Sequence, residues 1–199
     1  INFNRDLSTL SPLDFLKRHV LISQNLKALF LGFNFSFGAK KSGTHEVVSD
    51  ILKSLGSPVE LQVANPFIMN GEIISSSKIR SALDTGNVIL AAKFLSRPHA
   101  LRGLVVKGDG RGRTIGFPTA NIKLPEEYFY PKTGVYVTKT NYKDMAFNSL
   151  TNIGFRPTFV DSSALQFETH ILNFHQMIYG EEIEVEFHDQ IREEKKFQS

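Results

Sequence analysis

Apolar and polar positions follow two different regimes along this 199-residue chain. In the first ninety-odd residues, short apolar runs alternate with stretches where apolar residues recur every three or four positions. Ser11-Pro12 offers an N-cap followed by proline at the first helical position, and Leu13, Leu16 and Val20 then follow at helical spacing. Leu26 to Leu31 is a compact apolar run ended by Gly32, which predicts a buried strand. Val47, Val48, Ile51, Leu52 and Leu55 mark one face of a helix that stops at Gly56. Val59, Leu61 and Val63 alternate with polar residues, as a strand does. Ser75 to Ser77 caps another helix running to Leu83, with Gly86 behind it, and Val88 to Leu95 predicts one more. Strands separated by helices predict a parallel α/β sheet.

After Arg97-Pro98 the pattern changes. Leu101 to Val106, Gly134 to Thr138, Ser149 to Ile153, Leu165 to Leu172 and Ile183 to Phe187 all read as strands. Turn signals separate them, among them Gly108-Asp109-Gly110, Arg156-Pro157 and Tyr179-Gly180. No helical periodicity intervenes. Strands at this spacing predict a small antiparallel barrel. The domain boundary is accordingly expected near Arg97, dividing the chain into 1–96 and 97–199.

Composition narrows the function classes only a little. Apolar residues make up 41% and charged residues 22%, an ordinary globular balance. The chain has no cysteine, so disulfides and thiolate metal sites are excluded. Its longest apolar runs are too short to span a bilayer, and no signal-peptide pattern opens it, which points to a cytoplasmic protein without a membrane partner. A net charge of +3 suits an anionic small molecule as well as a nucleic acid. The chain begins at Ile1 rather than methionine and ends at Ser199 without a clear stop, so it is expected to be a piece of a longer parent.

Three segments of the second half carry candidate chemistry. Gly108 to Gly116 holds Gly108, Gly110, Gly112 and Gly116, with Arg111, Arg113 and Thr114 among them. Glycines let backbone N–H groups approach an anion, and arginines add charge-assisted donors for phosphate. It is not a Walker A loop, because the Lys-Ser/Thr ending and the following helix are missing. A solvated hairpin has the same composition, so the loop alone leaves both readings open. Gly116-Phe117-Pro118-Thr119-Ala120-Asn121 follows at once. On an extended chain Thr119 and Asn121 point the same way, and both are hard oxygen ligands suited to Mg²⁺ held mainly by ATP phosphates and water. A proline-initiated turn is the alternative. In Leu165 to Leu172, the residues Leu165, Phe167, Thr169 and Ile171 share one strand face, with Gln166, Glu168 and His170 on the other. Beside Mg·ATP, Glu168 has the chemistry to accept the proton of an attacking alcohol. It equally suits a solvated position on a half-exposed strand. His170 reads as structural or solvent-exposed.

Taken in order, these segments resemble the signature of riboflavin kinases. The run from Gly103 to Asn121 carries the resemblance first. Gly134-Val135-Tyr136, Asn152 to Thr158, Glu168 to Leu172, Tyr179-Gly180 and Arg192 to Phe197 follow in that family's order. The resemblance covers about Arg97 to Ser199. It implies a six-stranded antiparallel barrel of the riboflavin kinase type, lacking the family's C-terminal helix here. It also implies roles: Thr119 and Asn121 on Mg²⁺ and ATP phosphate, and the loop with Gly108, Gly110, Gly112 and Thr114 closing over ATP. Glu168 would be the base, and Arg192, Lys195 and Phe197 would lie beside the flavin. The substrates implied are riboflavin and ATP, with FMN as product.

The first half resembles the FMN adenylyltransferase domain that precedes the kinase in bacterial bifunctional enzymes. Gly32 to Gly38 with Gly43, and Ile74 to Arg80, carry that resemblance. It implies a partial, Rossmann-like α/β nucleotidyltransferase domain over 1–96. Ser75, Ser76 and Arg80 would bind phosphate at a helix N-terminus. Two departures stand out. The family's glycine-loop segment with paired histidines has no counterpart in this sequence, and Asn34 stands where the family usually has Asp. The rival reading is a basic β-barrel that binds nucleic acid. It lacks aromatics interleaved on a strand face to stack bases. A third is a flavin-binding regulator with a dead site, against which Thr119, Asn121 and Glu168 argue.

Overall fold

The computed structural model describes residues 2, 4–23, 25–108, 117–125, 127–155 and 165–194. They form two compact units, dividing between Ile73 and Ile74.

In the first unit, α1 (Arg5–Thr9) and α2 (Pro12–Phe15) lead into a single π-helical stretch, Leu16–Val20. Ser11 caps α2 as its sequence predicts: its Oγ accepts from the Asp14 N–H at 3.1 Å. The helix expected through Leu13, Leu16 and Val20 forms without a gap but widens from α to π at Leu16, and among these three only Leu16 is buried. Strands β1 (Ala28–Gly32) and β2 (Glu60–Ala64) pair in parallel, with Ala28 opposite Glu60 and Gly32 opposite Ala64. Helix α3 (His45–Ser54) connects them and buries Val48 and Leu52 against Leu29, Leu31 and Leu61. This is the parallel β-α-β arrangement the alternating pattern predicts. Phe30, between Leu29 and Leu31, points the opposite way and is 73% exposed. A hairpin that the pattern does not announce, β3 (Ile68–Met69) with β4 (Glu72–Ile73), turns at Asn70-Gly71, both at positive φ.

The second unit opens with α4 (Ser76–Asp84) and α5 (Val88–Leu95). Six strands follow: β5 (His99–Val106), β6 (Ala120–Lys123), β7 (Gly134–Tyr142), β8 (Met145–Phe155), β9 (Leu165–Ile171) and β10 (Glu182–Glu193). They close into an antiparallel barrel in the order β10-β5-β6-β9-β8-β7. Strand β6 begins at Ala120, in the segment where the sequence reading placed Thr119 and Asn121 on an extended chain, and runs on to Lys123. The change of pattern at Arg97-Pro98 coincides with the start of the barrel strands. Compactness divides the chain earlier, because Ala82, Leu83, Val88 and Ala91 are buried in the same core as Leu101 and Phe187. The Lys132 N–H also donates to the Leu83 carbonyl at 2.9 Å. Two helices that periodicity alone assigned to the α/β half thus pack on the barrel.

Alternate residues of each strand fill the barrel. Leu101, Val105, Ile153, Phe167, Ile183, Val185 and Phe187 are buried. One sector of the interior is polar: Thr138, Thr140, Ser149, Thr151 and Thr169 are buried. Their hydroxyls bond to one another. Thr138 pairs with Ser149 at 2.8 Å and Thr151 at 2.9 Å, Thr140 donates to Ser149 at 2.8 Å, and Thr151 pairs with Thr169 at 2.9 Å. Mutual pairing is what permits hydroxyls in a closed core.

Candidate active site on the barrel rim

Strand register brings the candidate residues into one row. Asn121 on β6 lies directly opposite Glu168 on β9, and Glu168 lies directly opposite Asn152 on β8. Asn152 in turn faces Val135 on β7, and Val135 faces Arg192 on β10. Their neighbours one position along point inward: Ala120 pairs with Thr169, and Thr169 with the fully buried Thr151. Because side chains alternate faces, Asn121, Glu168 and Asn152 stand on the outer face, where all three are half-buried. The row exists because β6, β9, β8, β7 and β10 are in register at these positions.

Thr119 sits one residue before β6 and lines a cavity of about 290 Å³. Val105, Ile171, Phe174, Met177 and Ile178 give that cavity apolar walls, while Thr119, Thr169, His175 and Gln176 supply polar groups. An apolar slot with a few polar atoms is the usual form of a small-molecule site. The approach to Thr119 is fixed by His170, whose Nδ1 lies 2.8 Å from the Pro118 carbonyl oxygen and whose ring packs edge-on against Phe117 at 5.5 Å.

Gly108, the first glycine of the candidate phosphate loop, lies against Asn121. A Cβ at Gly108 would sit 2.1 Å from Asn121 Nδ2 and 2.4 Å from its Cγ. Close approach, not a turn, is what requires glycine there. Gly110, Gly112 and Thr114 lie outside the described residues, as do Lys195 and Phe197.

Arg192 is exposed, and its Nη1 donates to the Glu193 carbonyl at 3.1 Å. Beside it, Glu193 accepts a 2.6 Å bond from Lys132 Nζ, which lowers the Glu193 carboxyl pKa below its ordinary value. Tyr136, one position on from Val135, is fully buried, donates to the Lys132 carbonyl and accepts from Gln190 Nε2 at 3.2 Å. Burial pushes its phenol up to about 12.

Ser75, Ser76 and Arg80 occupy a separate element, the start of α4. Ser75 Oγ caps the helix by accepting from the Lys78 N–H at 3.4 Å, and Arg80 Nη2 donates to Ser76 Oγ at 3.4 Å. Sequence reasoning missed Asn152 as a site residue and the apolar walls contributed by 174–178. The signal for Asn152 was its alternation with Thr151 and Ile153, but only the register shows that its neighbour is Glu168.

The fold class is a closed six-stranded antiparallel barrel. Residues 95–199 match the riboflavin kinase family profile, and residues 1–78 match that of FAD synthetase. The chain belongs to the riboflavin kinase family. It is 37% identical over 199 residues to the bifunctional riboflavin kinase/FMN adenylyltransferase of Bacillus subtilis, covering 99% of this chain and 62% of the relative. The enzyme of the same description from Listeria monocytogenes is 36% identical, with 99% and 62% covered. The chain thus spans under two thirds of the length of these relatives. A solved structure described as a macrolide-efflux protein from Streptococcus pneumoniae matches with a TM-score of 0.82 at 34% identity, covering 100% of this chain and 62% of that one. Among the described residues here, no helix is long and apolar enough to cross a membrane.

Proposed function

We propose that this protein transfers the γ-phosphoryl group of ATP to the terminal ribityl hydroxyl of riboflavin, giving FMN and ADP. The observation that carries the reading is the direct cross-strand pairing of Asn121 with Glu168. It sets a candidate phosphate ligand beside a candidate base, about one strand spacing of 4.8 Å apart. The apolar cavity beside Thr119 suits the adenine of ATP, which puts the phosphates at Thr119 and Asn121. The loop bearing Gly108, Gly110, Gly112 and Thr114 would close over them. Glu168 takes the hydroxyl proton as the oxygen attacks the γ-phosphorus, and the bond to the β–γ bridging oxygen breaks to release ADP. Arg192, Lys195 and Phe197 are assigned to the flavin side.

The residues fit Mg²⁺. Thr119 and Asn121 offer neutral, hard oxygens, and among the described residues no cluster of three His, Asp or Glu would compete as a self-sufficient metal site. Bound there with ATP, the ion would neutralise phosphate charge. In the first half, Ser75, Ser76 and Arg80 are assigned to phosphate binding in FMN adenylylation by the parent protein, with the domains taken as 1–96 and 97–199. ATP and free riboflavin as substrates fit a cytoplasmic enzyme. The comparisons do not support the nucleic-acid-binding alternative. Chromatography of the protein with riboflavin, ATP and Mg²⁺ tests the reading: FMN and ADP should form in equal amounts, and their absence from folded protein would overturn it.

A further inference from the structure

Resting on the riboflavin kinase reading above, we propose that Asn152 selects the substrate by hydrogen-bonding the inner hydroxyls of the ribityl chain. The strand register supplies a ruler. From Glu168 the row runs to Asn152, then Val135, then Arg192. Neighbouring strands are about 4.8 Å apart, so Asn152 lies about 5 Å and Val135 about 10 Å along the row from Glu168. An extended ribityl chain spans about 7 Å from its terminal oxygen to the ring nitrogen, six bonds of roughly 1.5 Å at tetrahedral angles. With the terminal hydroxyl at Glu168, the three inner hydroxyls fall over Asn152, and the flavin ring begins toward Val135 with Arg192 beyond it. The opposite direction from Glu168 leads to Asn121, the side assigned to phosphate.

The chemistry along the row changes in the same order. A carboxylate faces the hydroxyl that must lose a proton. A carboxamide, with two donors and an acceptor, faces hydroxyls that both donate and accept. An apolar valine faces the start of an aromatic ring. Asparagine is also a poor strand former, set here between the buried Thr151 and Ile153, so strand propensity does not explain it. Two positions along the same face, Gly154 makes room for the Glu194 carboxylate, which accepts from the Phe155 N–H at 3.2 Å: a Cβ at Gly154 would lie 2.5 Å from Glu194 Oε1 and 3.5 Å from Asn152 Nδ2.

The test compares riboflavin with a flavin whose N10 side chain is 5-hydroxypentyl, which keeps the reacting hydroxyl and removes the inner three. Wild-type protein should prefer riboflavin in kcat/KM by about tenfold or more, since each net hydrogen bond is worth roughly three- to tenfold. Asn152→Ala should erase most of that preference, with the KM for ATP unchanged. If the alanine variant does not fold, Asn152→Leu reads the same preference. A variant that keeps the full wild-type preference would overturn the role of Asn152 while leaving the kinase reading standing. Phosphorylation of neither flavin by wild-type protein would overturn both.

Discussion

Asn121 and Glu168 face each other across β6 and β9, and the amide of Asn121 rests against Gly108. One contact therefore ties Gly108 to the strand pair that holds the proposed phosphate ligand and base. Replacing Gly108 with alanine would drive a methyl to within 2.1 Å of the Asn121 nitrogen, and the short Asn side chain has to swing away. Gly108→Ala should raise the KM for Mg·ATP by about tenfold or more, as expected when a charge-assisted contact is misplaced. Riboflavin binding, followed by flavin fluorescence, should change little. An unaltered KM for ATP would detach Asn121 from nucleotide binding.

Thr119 lines the cavity and precedes β6, where its hydroxyl is assigned to metal and phosphate. Thr119→Ala should weaken ATP binding in the presence of Mg²⁺ and lower turnover, with the melting temperature almost unchanged. Titration calorimetry with and without Mg²⁺ measures this. Equal affinities for the two proteins under both conditions would return Thr119 to a turn residue.

The barrel was legible in the sequence because its strands carry alternating patterns bounded by Gly, Asn and Pro turns. The parallel β1-α3-β2 unit was legible for the same reason. What periodicity does not encode is partnership between elements. Nothing in α4 or α5 says that Leu83 and Val88 pack on a barrel rather than on the sheet before them. Glu168 was recognisable as a candidate, yet its position between Asn121 and Asn152 is a property of register, which depends on how three strands align. The π-helical stretch at Leu16–Val20 was hidden as well, because its apolar spacing is close to that of an ordinary helix.

Thr151 holds the centre of the interior hydroxyl chain, bonded to both Thr138 and Thr169. Thr151→Val keeps the shape but removes both bonds. It should cost about 2 kcal/mol, against about 1 kcal/mol for Thr169→Val, which removes one. Urea denaturation of the two variants checks the order. Equal costs, or a stabilised Thr151→Val protein, would mean the chain contributes no net stability.

Tyr136 predicts an alkaline limit. Its phenol is raised by burial from 10.0 to about 12, so the folded state keeps the proton where the unfolded chain loses it. The stability this gives is whole below pH 10 and is lost as pH rises through about 12. Tyr136→Phe should therefore show a shallower loss of stability between those pH values. Identical slopes for the two proteins would place the alkaline transition on another group.

The most direct test of the account is single-turnover FMN formation by wild-type protein and Glu168→Gln at saturating Mg·ATP, with a thermal melt to confirm folding. The amide keeps the size of the carboxylate and its position opposite Asn121, but it cannot take the hydroxyl proton. The rate should fall by about two to four orders of magnitude, the usual range for a positioned base, while riboflavin affinity changes much less. A fall below about tenfold would mean that Glu168 only orients the alcohol in a loose transition state. Equal rates in the two proteins would contradict the account and remove Glu168 from the chemistry.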